Sequence, residues 1–136
     1  MSSDVIKAVV TRFNEEVIVK GDRTSFEALI DPDFVNRSAP EGAPNGPESM
    51  WNTFENVLRP ALANLSVAIH DQIAEGDKVT TRKTITGIHH GTLMGVEASG
   101  RAVAIDVIDI VRIANGRYAE HWGLNTLQTV LAQLKK

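Results

Sequence analysis

Asp109 lies where a carboxyl group is costly to keep charged. Residues 103–113 read as one strand, and one parity of it carries Val103, Ile105, Val107, Asp109, Val111 and Ile113. Five of these six are β-branched aliphatics and the sixth is a carboxylate. Burial in such a row disfavours the charged form and is expected to raise the carboxyl pKa. A carboxyl tuned upward suits general acid–base chemistry near neutral pH. The bland alternative is a structural carboxylate held by a cation, for which Arg82 on the neighbouring strand is the candidate. His121 is a second proton carrier, and His89 could hydrogen-bond a developing oxyanion.

Other residues divide by position. His121 and Trp122 alternate faces on the last strand, so one looks inward and the other outward. Met50, Trp51 and Phe54 recur at helical spacing and read as core, with Trp51 and Phe54 also candidates to line a ligand. Met94 falls in a glycine-punctuated connection, where it could lie over a pocket mouth or fill a gap. His89 and His90 are adjacent and point opposite ways, and His70 and His121 are distant in sequence, so no metal-ligand spacing emerges. The glycines at 87, 91, 95 and 100 lack the strand-to-helix context and lysine of a phosphate loop.

The elements that must position these groups follow from the period of the apolar residues. Val5, Ile6, Val9, Val10, Phe13 and Val17 recur every three to four residues and predict a helix, ended at Gly21. A short second helix carries Phe26, Leu29 and Ile30 and stops at Pro32. Residues 34–38 predict a short strand, and Pro47 opens a third helix that ends near Pro60. From residue 65 the period changes. Strands are predicted over 67–74, 78–90, 103–113 and 117–122, with a hairpin turn at Asn115-Gly116. A last helix over 126–134 closes the chain. Helices over one face of a curved antiparallel sheet make an α+β architecture. A concavity between the two layers is the natural place for a ligand.

With 136 residues, 43% hydrophobic and 23% charged, the chain reads as one globular domain over 1–136. A net charge of -3 without a basic stripe argues against nucleic acid. The absence of cysteine removes disulfides and thiolate chemistry and fits a reducing compartment. No secretory leader and no membrane-length apolar run is visible, so a cytoplasmic protein is expected. Ile108 and Ile110 make the Asp109 strand apolar on its other face too, and a homodimer through the sheet would cover them.

An ordered set of short segments resembles the SnoaL-like polyketide cyclase (ester cyclase) family. The segments are Gly21-Asp22, Pro32-Asp33-Phe34-Val35, Gly87-Ile88-His89-His90-Gly91, Met94-Gly95, Ser99-Gly100-Arg101, Ile110-Val111-Arg112, Asn115-Gly116-Arg117, Glu120-His121-Trp122 and Gln133-Leu134. The resemblance implies the cone-shaped nuclear-transport-factor-two-like fold, in which three amino-terminal helices and a carboxy-terminal helix wrap a curved sheet. It implies aldol-type cyclisation by acid–base catalysis with no metal or organic cofactor, on a small hydrophobic or aromatic carbonyl ligand. It places Asn36, His89 and Asp109 at pocket positions. The family's acid falls at Gly123 and a second aspartate at Thr126, and neither residue here can act as that acid. Two functions therefore stand side by side: a cofactor-independent cyclase or isomerase using Asp109, His121 and His89, and a non-catalytic small-molecule-binding or dimeric module.

Overall fold

Alternation of apolar residues over the second half of the chain builds one five-stranded sheet, which sets the position of every candidate residue. The computed structural model describes residues 2–136. The strands are β1 (Ile30–Asn36), β2 (Leu62–Glu75), β3 (Lys78–His89), β4 (Ala102–Ala114) and β5 (Arg117–Asn125), in the spatial order β1-β5-β4-β3-β2. β2 to β5 form the expected antiparallel meander. β1 departs from it, running parallel to β5 and bringing Asn36 opposite His121. The β4–β5 turn places Asn115 and Gly116 at φ 53° and 76°, the geometry that selects Asn-Gly.

Helices cover one face only. α1 (Ser3–Arg12) starts from a Ser2 cap, whose side chain accepts from the Val5 amide, and continues as a π-helical segment (Phe13–Val19). α2 (Arg23–Leu29) is capped by Asp22. α3 (Pro47–Asn52) also widens into a π-helical segment (Thr53–Leu58), and α4 (Leu127–Leu134) closes the chain. In both widened segments a backbone amide reaches the carbonyl five residues back, Lys20 to Glu15 and Arg59 to Phe54. The sequence period signals helix at these places but not the wider winding.

Inward parity on β4 is Val103, Ile105, Val107, Asp109, Val111 and Ile113, as the alternation predicts. Phe13 from the first helical run stacks on Tyr118 of β5 with ring centroids 4.0 Å apart. Phe26 packs tilted on Trp51 at 5.1 Å. Phe13 and Tyr118 also line a cavity left between helices and sheet. No helix among the described residues is long and apolar enough to cross a membrane.

Candidate active site

Strand register assembles the site. Thr81 lies opposite Asp109 and Lys83 opposite Val107 across β3–β4. Gly123 lies opposite Asp109 and His121 opposite Val111 across β4–β5. Lys83 and His121 are therefore the diagonal neighbours of Asp109 on its two sides, the offset at which long side chains meet. The Asp109 Oδ2 atom stands 3.5 Å from Lys83 Nζ and 3.4 Å from His121 Nε2. Lys83 Nζ donates to Asn14 Oδ1 at 2.6 Å, and Asn14 Nδ2 donates to the Val10 carbonyl at 2.9 Å. On the other side His121 Nδ1 lies 3.0 Å from Asn36 Oδ1, which also accepts from the Ser38 amide. A polar chain thus runs Asn14–Lys83–Asp109–His121–Asn36 across an otherwise apolar floor.

That floor bounds a cavity of about 280 Å³. Phe13, Met50, Phe54 and Leu58 roof it, and Ile85, Val107 and Tyr118 share the floor with the polar chain. Both ring nitrogens of His121 face oxygens, Nδ1 that of Asn36 and Nε2 that of Asp109. Asp109 Oδ1 is buried without a hydrogen-bond partner. Such an atom is held at a cost that sites of chemistry often carry.

Asp109 is lowered from the ordinary carboxylate value, the reverse of the sequence expectation. Burial does push it up, but the hydrogen bond from His121 and the charges of Lys83 and His121 together outweigh that. The alternation revealed the burial and concealed the two diagonal neighbours, Lys83 and His121. Lys83 is lowered, because burial outweighs the attraction of Asp109. The two shifts compete: a Lys83 that releases its proton leaves Asp109 to lean on His121. Tyr118 is raised well above the phenol value by burial and then by the Asp109 charge, so it stays neutral.

Gly123 has a specific role here. A Cβ built on it would sit 2.8 Å from His121 Cε1 and 3.5 Å from Asp109 Cβ. The imidazole occupies the space that a side chain at position 123 would need. The absence of a side chain at Gly123 is what lets His121 lie against Asp109.

Of the candidates read from sequence, Asp109, His121, Asn36 and Phe54 line the cavity. His89 does not. It is fully buried at the end of β3, where its Nδ1 accepts from the Ser99 amide and lies 2.8 Å from Ser99 Oγ, and its Nε2 donates to the Val96 carbonyl. It pins the β3–β4 connection instead. His89→Ala should cost about 1–3 kcal/mol in urea denaturation and speed proteolysis within residues 90–101, with ligand binding retained. Arg82 is turned to the outer face, paired with Asp71 at 2.6 Å, and its place beside Asp109 is taken by Lys83. Trp122 is also on the outer face, with Lys78 Nζ 5.5 Å above its ring. Trp51 packs between Phe26, Arg23 and Arg59 behind the roof. Met94 is over half exposed in the connection and lines no part of the cavity. Thr126 Oγ1 accepts from the Asp106 amide and ties β5 to β4.

Sequence reasoning missed Lys83, Asn14 and Tyr118. The signal for Lys83 was its parity with Val79 and Ile85, and for Asn14 its place in the stripe of Val10, Phe13 and Val17. Among the described residues no three His, Asp or Glu side chains converge on a metal position.

Comparison with known proteins agrees with this architecture. TsrD from Streptomyces laurentii superposes with a TM-score of 0.86 at 25% identity, covering 98% of this chain and 97% of that one. IdmH from Streptomyces antibioticus, proposed to be a polyketide cyclase, gives 0.83 at 26% identity, covering 96% and 99%. AclR from Streptomyces galilaeus, proposed to be a hydroxylase, gives 0.85 at 25% identity, covering 98% and 83%. No curated protein matches the sequence. The sequence profile described as SnoaL-like polyketide cyclase matches residues 8–134, nearly the full length, and the chain belongs to that family.

Proposed function

We propose that this protein binds a small carbonyl-containing ligand, aromatic or otherwise hydrophobic, and moves a proton at the carbon next to the carbonyl without a cofactor. The reaction class is cyclisation or isomerisation. The observation that carries the reading is the contact of Asp109 with His121 at the floor of an apolar cavity. Asp109 in its ionised form is the base. His121, held through Nδ1 by Asn36 at 3.0 Å, turns its Nε2–H from Asp109, 3.4 Å away, to the developing oxyanion. Apolar walls exclude water and strengthen both interactions.

The test is deuterium exchange followed by proton NMR. With benzylacetone in D₂O, the protein should accelerate loss of the protons beside the carbonyl. A second reading, a ligand carrier, is favoured by the glycine at the family's acid position. Calorimetric binding of the ketone with no acceleration of exchange would select it. The cysteine-free composition suits a reducing compartment such as the cytoplasm.

We also propose a homodimer through the outer face of the sheet. Ile108, Ile110, Leu124 and Ile73 are exposed there. Register joins them: Ile108 pairs with Leu124 and Ile110 with Trp122, while Thr80 bridges Ile110 to Ile73. Sedimentation should give twice the 14.8 kDa chain mass. Ile108→Asp with Leu124→Asp should give monomer with the fold intact.

A further inference from the structure

Lys83 is the one titratable residue of the polar chain that the proposed acid–base role does not use. It projects from the middle of β3 into the cavity wall, and its side chain is 5% exposed. An ammonium carries three donors. Asn14 takes one at 2.6 Å and Asp109 faces another at 3.5 Å, which leaves one for the cavity. The remaining lysines, Lys7, Lys20, Lys78, Lys135 and Lys136, are all outside this cavity. An amine in an apolar, ligand-sized space, beside one group that can take a proton and another that can give one, is the arrangement that carbonyl condensation needs.

We propose that Lys83 condenses with the carbonyl of the ligand to form an imine, with Asp109 and His121 as its proton relay. This rests on the reading of the cavity as a carbonyl-ligand site and names the covalent step within it. Lys83 enters as the neutral amine. Its lone pair forms a C–N bond to the carbonyl carbon, and the carbonyl π pair moves to oxygen. His121 gives that oxygen a proton, and nitrogen loses one to Asp109, which returns it to His121 across 3.4 Å. The carbinolamine hydroxyl then leaves as water with a second proton from His121. Nitrogen gives up its remaining proton by the same route as the C=N bond forms. Amine plus carbonyl becomes imine plus water, and both relay groups are restored. Burial supports the neutral amine, since each unit by which a lysine pKa falls gives about tenfold more free base at a given pH.

The experiment treats the full chain with benzylacetone and sodium cyanoborohydride at neutral pH, followed by intact mass and peptide mapping. One adduct is expected, at Lys83, at least about tenfold above any other lysine. Label spread evenly over the surface lysines, or none at Lys83, overturns the proposal. Lys83→Arg keeps the cation and cannot form the imine, and it should bind the ketone calorimetrically without labelling. Binding by both proteins with no label at Lys83 in the wild type overturns the imine and leaves the carbonyl pocket standing. No binding by either overturns both. If Lys83→Arg does not fold, the wild-type peptide map and wild-type calorimetry still decide.

Discussion

Asp109→Ala is expected to cost about 3–5 kcal/mol of folding stability, the usual effect of removing one partner from a buried ion pair. It leaves Lys83, 5% exposed, with its hydrogen bond to Asn14 and no carboxylate partner. The size of the loss reflects the stranded cation more than the strength of the pair. Replacing both partners with apolar groups of similar volume, Asp109→Leu with Lys83→Met, should therefore recover most of it and could exceed the wild type by about 1–4 kcal/mol. Urea denaturation of Asp109→Leu, Lys83→Met and the double variant closes the cycle, and strong non-additivity is expected. The pH dependence has two signs. Asp109 is lowered in the folded chain, so its contribution is present above the ordinary carboxylate value and is lost as pH falls through the folded value. Lys83 is also lowered, so the unfolded chain holds that proton more tightly, and stability rises as pH climbs from the folded value towards 10.5. Both slopes should flatten in the double variant.

Gly123→Ala is expected to reduce turnover about 10²-fold with little change in ligand affinity. The added methyl meets His121 Cε1 at 2.8 Å and displaces the ring from Asp109. A shift of about 1 Å in a catalytic group is enough for a loss of that order. His121→Ala should lose as much or more, and Gly123→Ala should add little on top of it, because both remove the same contact. If the contact of His121 with Asp109 plays no part in the chemistry, Gly123→Ala will be silent. Steady-state kinetics of ketone exchange across the three variants separates these outcomes.

The parts legible in the sequence are those fixed by strict alternation. The row from Val103 to Ile113 announced both the strand and the burial of Asp109. Asn115-Gly116 announced the hairpin, and the ordered short segments announced the fold. The parts that were not legible depend on register. β3 is rich in threonine, so its two faces differ little in polarity, and Lys83 does not stand out as inward. Without the diagonal offsets to β3 and β5, neither Lys83 nor His121 can be placed beside Asp109, and burial alone gives the opposite sign for its pKa shift. His89 is inward by parity, but a local partner, Ser99, claims it before the cavity does. Arg82, the candidate partner on the neighbouring strand, differs from Lys83 by one residue of parity, which sends it to the opposite face and to Asp71. The parallel pairing of β1 with β5 joins segments some 85 residues apart, which no local pattern encodes.

The central claim is that the carboxylate of Asp109 abstracts the proton beside a bound carbonyl. It is tested most directly by Asp109→Asn, which keeps the shape of the side chain and removes the base. The measurement is the rate of benzylacetone deuteration by NMR beside its calorimetric affinity. The account predicts a fall of about 10²–10⁴ in rate with affinity kept within about threefold of the wild type. A rate equal to that of the wild type, at equal affinity, would contradict it.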